Sequence, residues 1–284
     1  MSMQASHFGV VGLGLTCALV LLAGAAIWVA RHPQLRSWSD IGVIGRLRQW
    51  FSAYFGDALS AARKRLGRDV STAAILLSGL MAVLAFAVGF SALLDDALEG
   101  DGFALIDEPA AQWLANHREG WLNTSLTAVT HLGDAITQAL WLALVCAVAA
   151  WRARSWLPAV IGAVGGVGIA VIIATAKTLV SRQRPDPPFA LVHSHGFSFP
   201  SGHAAGAAAV GLLSAWMLCR WVVHTWAAQV AVWTLTLTTV ALIGFSRPYL
   251  GVHFVTDVLA GWLLGAAWAG AVINVTAWWR RPDR

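Results

Sequence analysis

Charge is scarce in this chain. Charged side chains make up 12% of its 284 residues, against 58% hydrophobic, whereas soluble domains carry about a quarter charged residues. That scarcity excludes an ordinary soluble domain. Cysteine is scarce too: Cys17, Cys146 and Cys219 all sit inside apolar runs, so they read as small buried hydrophobes and no disulfide framework is expected. The chain has no internal repeat and no low-complexity tract. Nor does the net charge of +5 point to nucleic acid, because the basic residues are distributed by membrane side.

What the sequence does have is apolar runs near the roughly 20 residues needed to span a bilayer. They fall at 8–30, 73–94, 126–150, 157–178, 203–223, 227–245 and 254–277. The first lacks a basic n-region, and it exceeds the roughly 7–15 residues of a signal-peptide core, so it reads as a span. Arg and Lys crowd 31–72, 151–156, 220–226 and the C-terminus, while 95–125 holds seven acidic residues against a lone Arg118. The positive-inside rule then puts the basic segments in the cytoplasm. The acidic loop, the loop 179–202, the turn 246–253 and the N-terminus fall outside. The expected fold is all-α, a polytopic transmembrane bundle. It divides into an N-terminal helix with basic linker (1–72) and a six-helix core (73–284). Within the linker, 39–69 reads as an amphipathic helix on the inner leaflet or as a solvated helix. Tryptophans at span ends (Trp28, Trp121, Trp151, Trp156, Trp278, Trp279) fit an interfacial belt. The acidic loop has room for one or two short helices.

Polar residues gather at the outer span ends in three clusters. The fourth span runs into "KTLVSRQRP", where Lys177 and Arg184 lie seven residues apart, about two helical turns. Pro185 disfavours α conformation at Arg184, so the helix is expected to fray there and present a cationic pair. Next, "PSGH" lets Ser201 cap a helix opening at His203, while Gly202 permits close approach to the backbone. Free N–H groups at that helix mouth suit an anion. Last, "SRPYLGVHFVTD" places Arg247 in a short outer turn, with His253 and Asp257 four apart on one helical face. Asp257 can then accept from one ring nitrogen of His253 and leave the other as a nucleophile. Together these residues supply what phosphate-ester cleavage needs. Cations neutralise the oxygens, one imidazole attacks, and a second protonates the departing oxygen.

Lys177-x6-Arg184-Pro185, Pro200-Ser201-Gly202-His203 and Ser246-Arg247-x5-His253-x3-Asp257 resemble, in order and with complete spacing, the three-part signature of type 2 phosphatidic acid phosphatases. The resemblance implies a phosphohistidine on His253, oriented by Asp257, and His203 as general acid. It further implies a phosphate held by Lys177, Arg184, Ser201, the Gly202 backbone and Arg247. No metal and no cofactor are implied. The partners are membrane lipids and a lipid phosphate or pyrophosphate substrate of the undecaprenyl pyrophosphate, phosphatidylglycerophosphate or phosphatidate type. The active site would face the periplasm from the bacterial inner membrane. Residues 1–72 lie outside the family core. Three other readings remain: a lipid phosphate or headgroup transferase with the same two imidazoles, a non-catalytic lipid-phosphate transporter or binder, and a metal hydrolase with His193, His195 and His203 as ligands.

Overall fold

The computed structural model describes residues 9–33, 69–185 and 190–279. Among them the chain is helical and contains no strand. Helix α1 (Val10–Arg31) precedes α2 (Asp69–Glu99), which runs out into a 3-10 turn (Gly102–Ile106) and the short helices α3 (Asp107–Asn116) and α4 (Gly120–Thr130). A second 3-10 turn (His131–Gly133) leads into α5 (Ala135–Ala153), and a tight connection into α6 (Leu157–Val180). The core ends with α7 (Gly202–Trp221), α8 (Trp226–Tyr249) and α9 (Val255–Trp279). Seven of these are long and apolar enough to cross a membrane: α1, α2 from Gly79, and α5 through α9. Helices suit this role because each backbone donor is satisfied within its own segment, where no water is available.

Helix α7 is the hub. Its run Ala204–Val210 is wholly buried, and every other core helix except α2 packs against it. Between apolar helices in lipid there is little hydrophobic driving force, so close packing of small residues has to hold the bundle. The α7–α9 crossing meets that condition. A Cβ at Gly261 would lie 2.8 Å from the Ser201 carbonyl oxygen, and one at Gly265 would lie 2.3 Å from that of Ala205. Only glycine permits this approach. On the other side, Gly165 admits Leu213 and Gly206 admits Gln138. Helix α2 lies along α9, and α1 flanks α8. At one end of α1 the Gly12 N–H donates to Glu119 Oε1 (2.8 Å), and at the other Trp226 Nε1 donates to the Val29 carbonyl (3.0 Å).

Several sequence expectations change. The run read as one span over 126–150 is broken at His131–Asp134 into α4 and α5, because Gly133 and the Asp134 cap interrupt the helix. The domain boundary at residue 72 falls inside α2. Arg247 belongs to the last turn of α8, not to a loop: the helix continues through Pro248 to Tyr249. Of the cysteines only Cys146 is buried; Cys17 is exposed and Cys219 intermediate. Trp28, Trp151 and Trp156 are exposed at helix ends, as an interfacial belt requires, whereas Trp121 is partly covered and donates to Glu119. The acidic loop holds the two short helices α3 and α4. The proposed amphipathic helix at 39–69 lies, up to residue 68, outside the described residues, as do the side chains of Trp278 and Trp279.

The glycine crossing makes a measurable demand. Gly265→Ala should destabilise the detergent-solubilised protein by about 1–3 kcal/mol through overpacking. Gly24→Ala, on α1 with nothing within 4 Å of the added carbon, should not. Thermal melts of the two variants check this, and equal melting of Gly265→Ala and wild type would refute close α7–α9 contact.

Candidate active site

Four core helices end at one place. Helix α6 stops at Val180 because Ser181 turns left-handed (φ 53°), its N–H bonding back to the Lys177 carbonyl at 3.0 Å. The chain therefore leaves the helix before Arg184. The expected helical stacking of Lys177 and Arg184 does not occur, and the two meet through the loop instead. Both donate to the Phe197 carbonyl, Lys177 through Nζ and Arg184 through Nη2. Helix α7 opens at Gly202 with Ser201 as N-cap, its Oγ accepting from the Ala204 N–H at 3.4 Å. The Ser201 N–H donates to the Asp257 carbonyl at 2.9 Å, tying the mouth of α7 to the start of α9.

His253 sits just before α9, 2% exposed, beside a fully buried Asp257. Its Nδ1 lies 3.3 Å from Asp257 Oδ2, which also accepts the Phe254 N–H at 2.9 Å. On the other side of the ring, Nε2 lies 3.1 Å from Arg184 Nη1. A guanidinium has only donors to offer, so Nε2 carries the lone pair and Nδ1 the proton. Burial pushes the imidazole down to about 3, against the pull of Asp257. His253 is therefore neutral around pH 7, with its free nitrogen aimed at the cations.

Those cations are held from behind. Arg184 donates to the carbonyls of Gly196 (2.9 Å), Val252 (2.6 Å) and His195 (3.1 Å). Burial lowers its guanidinium below the ordinary value, partly offset by Asp257. Arg247 is 4% exposed and donates through Nη1 to Thr130 Oγ1 at 2.7 Å, while its buried Nε has no hydrogen-bond partner among the described residues. Lys177, Arg184 and Arg247 are close enough to repel one another. Like charges gathered in a partly desolvated pocket, with a donor left unused, make a seat for a polyanion.

A second imidazole faces the same space. His203, in the first turn of α7, places Nε2 3.1 Å from Asp134 Oδ1, and Asp134 Oδ2 lies 2.9 Å from His131 Nδ1. Burial raises the Asp134 carboxyl, but the His131 hydrogen bond and the His203 charge outweigh it, leaving it below the usual value. Gly133 lets the ring pass, since a Cβ there would sit 2.6 Å from His203 Cδ2.

From Lys177, Gly202 and His203 a groove of about 1200 Å³ descends between α5, α6 and α7. Its walls are small and apolar, including Ala139, Ala143, Gly166, Ala170 and Ala174, and it reaches Ala150 and Trp156 at the far helix ends. The charged seat thus opens onto a hydrocarbon-compatible furrow.

The structure brings together all eight residues singled out from the sequence. It also adds four that were missed. Asp134 partners His203, and Thr130 holds Arg247. Arg182 bonds Asp257, Thr256 and Asp107, and Asp107 in turn accepts from the Thr256 backbone at 3.0 Å. The polar "HLGD" inside a nominal span was the available signal for Asp134. The three-histidine metal reading fails: among the described residues no three His, Cys, Asp or Glu side chains converge as ligands, and His193 and His195 are exposed on the loop.

Comparison with known proteins agrees with this geometry. The sequence pattern of the PAP2 superfamily matches residues 158–281. Phosphatidylglycerophosphatase B of Bacillus subtilis is 33% identical over 177 residues, covering 62% of this chain and 86% of its own. A decaprenylphosphoryl-5-phosphoribose phosphatase of Mycobacterium tuberculosis is 35% identical over 171 residues, 59% of this chain and 86% of its own. A crystal structure of a transmembrane PAP2-type phosphatidylglycerolphosphate phosphatase from Bacillus subtilis superposes with a TM-score of 0.64 at 30% identity, covering 71% of this chain and 98% of that one. The chain therefore belongs to the PAP2 superfamily and is a multi-pass membrane phosphatase.

Proposed function

We propose that this phosphatase hydrolyses a phosphomonoester or pyrophosphate of a membrane lipid through a phosphohistidine on His253, on the periplasmic side of the inner membrane. The observation that carries the reading is the two-sided hold on one imidazole: Asp257 at Nδ1, and Arg184 at the lone pair of Nε2. A bound phosphate would take over the Arg184 donor, freeing Nε2 within reach of phosphorus. Lys177, Arg247 and the N–H groups at the Ser201–Gly202 mouth would neutralise the oxygens that gain charge. The Nε2 lone pair attacks phosphorus, the ester P–O bond breaks, and the departing oxygen takes a proton from His203 oriented by Asp134. Water then attacks phosphorus and gives a proton back to His203. The P–N bond breaks, releasing inorganic phosphate and restoring both rings. Positioning and charge stabilisation carry phosphoryl transfer, so the cations present suffice without a metal.

The outward orientation rests on charge: the site shares its end of the bundle with the acidic loop, while Arg31, Arg152, Arg154 and Arg220 lie at the other helix ends. The lipid nature of the substrate rests on the groove, which continues the phosphate seat into the membrane plane. The named relatives act on a phosphatidylglycerol phosphate and on a decaprenyl-linked phosphate, and an apolar furrow of this kind accepts either tail.

Purified protein in EDTA should release phosphate from a detergent-dispersed lipid phosphate, and His253→Ala should lower turnover by about 10⁴-fold or more. Turnover abolished by the chelator and restored by zinc, or a fully active His253→Ala, would reject this mechanism. In single-turnover phosphoenzyme formation, His203→Ala should cost about 100–10,000-fold with a lipid monophosphate and far less with p-nitrophenyl phosphate, whose leaving group needs no proton. Equal loss on both substrates would remove His203 from the acid role.

The groove yields a separate test. Ala174→Trp places an indole in its upper part, on a lipid-facing position of α6. It should raise KM for a lipid phosphate at least about tenfold, the scale of 1.4 kcal/mol, and leave p-nitrophenyl phosphate turnover within about twofold. Unchanged lipid kinetics would dissociate the groove from substrate binding.

A further inference from the structure

Asp257 has two carboxylate oxygens, and the mechanism above uses only one. Oδ2 faces His253 Nδ1 and the Phe254 N–H, while Oδ1 accepts from Arg182 Nη1 at 2.8 Å. The same Nη1 donates to Thr256 Oγ1 (2.8 Å), and Nη2 donates to Asp107 Oδ2 (2.8 Å). Asp107 is 2% exposed and opens α3 in the acidic loop. It closes the circuit by accepting from the Thr256 backbone N–H and from the Thr256 hydroxyl. The Arg182 guanidinium also stacks 4.5 Å from the Phe254 ring centroid. None of these bonds involves Lys177, Arg184, His203 or Arg247: Arg182 takes the Asp257 oxygen that His253 does not. We infer that Arg182 is a positioning residue for the reaction, fixing the carboxylate of Asp257 so that the imidazole of His253 is held at one angle, with Asp107 of the acidic loop as its counter-anchor.

The physical reasoning begins with rotational freedom. A carboxylate held by one oxygen can turn about its Cβ–Cγ bond, and with it the ring that depends on it. Held at both oxygens it cannot. Arginine suits this place because its planar fork can engage two acceptors at fixed geometry, which a lysine ammonium cannot do. The circuit also balances charge. Asp257 and Asp107 are both buried, and an isolated buried carboxylate costs several kcal/mol. Arg182 lies between them and bonds to both. Arg182 falls inside the stretch between Lys177 and Arg184, so one short segment supplies three cations with different tasks. Lys177 and Arg184 face the anion, and Arg182, between them in sequence, turns to the two carboxylates. The left-handed Ser181 that ends α6 reverses the chain just before Arg182 and so permits that alternation.

This inference rests on the proposed phosphohistidine chemistry, and its test separates the two. Wild-type turnover of p-nitrophenyl phosphate and its inhibition by orthovanadate are measured first. A wild type without turnover sinks the underlying mechanism along with this inference. Against an active wild type, Arg182→Gln should lower kcat about tenfold or more, in the range by which outer hydrogen-bond partners of a site act. KM and the vanadate inhibition constant should stay within about twofold, because no phosphate contact is removed. Arg184→Gln, which loses a phosphate-facing donor, should instead weaken vanadate inhibition. Single-turnover accumulation of the acid-labile phosphoenzyme should slow in proportion to kcat in Arg182→Gln. Arg182→Lys keeps the charge but not the fork, so it should recover part of the loss. Asp107→Asn should show the same kcat-only pattern at smaller size and add nothing in the Arg182→Gln background, since it acts through Arg182. If Arg182→Gln elutes as aggregate, the Arg182→Lys and Asp107→Asn variants give the same reading. An unchanged kcat, or KM and vanadate inhibition moving together with kcat, overturns the positioning role and leaves Arg182 a structural brace only.

Discussion

The site depends on how closely α7 and α9 cross. Each helix brings one imidazole: α7 carries His203 in its first turn, and α9 is preceded by His253 and opens with Asp257. Neither helix can be moved outward without parting the two rings. Gly261 and Gly265 make the contact possible by giving α9 no side chain where the α7 backbone passes. The Ser201 N–H to Asp257 carbonyl bond then fixes the register of one helix mouth against the other. In lipid, where apolar side chains gain little by meeting one another, such backbone proximity and a few buried polar bonds must supply rigidity. The geometry of the candidate site and the stability of the bundle therefore share the same few residues.

Given that frame, the difficulty is electrostatic. Lys177, Arg184 and Arg247 converge in a partly dehydrated pocket, and their mutual repulsion is a standing cost. The protein offsets it without spoiling the seat, by placing its carboxylates behind the working groups. Asp257 stands behind His253, Asp134 beside His203, and Asp107 behind Arg182, so the side open to substrate remains positive. The carbonyls of His195, Gly196, Phe197 and Val252 satisfy Arg184 but carry no full charge to compete with phosphate. A tetrahedral anion entering this space completes a charge arrangement that the fold leaves unbalanced.

How much of this was legible in the sequence follows from range. Span number, the all-helical class and the eight motif residues are encoded locally, by apolar run length and by short fixed spacings such as His253-x3-Asp257. Elements that depend on a distant partner were not. Nothing near Asp107 announces that it meets Arg182, 75 residues away in sequence. Asp134 was overlooked because the run from 126 to 150 is apolar enough on average to read as one helix, although "HLGD" carries two titratable groups that a continuous span would strand in hydrocarbon. The end of α6 was placed too late for a different reason: proline at 185 is a visible stop signal, whereas Ser181 adopting a left-handed conformation is not a residue-type preference. Arg247 reads as part of a turn because the apolar run stops at 245, yet α8 continues through Pro248 to Tyr249.

The sign of the charge at each helix end also has a physical logic. Lys177 and Arg247 occupy the last turns of α6 and α8, where carbonyl ends favour cations, while Asp257 and Asp134 occupy the first turns or caps of α9 and α5, where N–H ends favour anions. Each placement is worth about 0.3–1 kcal/mol at exposed helix ends and more where burial limits screening. An up-and-down bundle necessarily brings N-termini and C-termini together on each face, so one membrane face offers both kinds of site side by side. The α7 mouth differs from the other two N-termini. It carries no carboxylate in its first turn, only Ser201, Gly202 and His203, so its free N–H groups face the seat uncompensated. Beside Asp257 and Asp134, the α7 start is thus a helix mouth that the protein has not filled with an anion of its own.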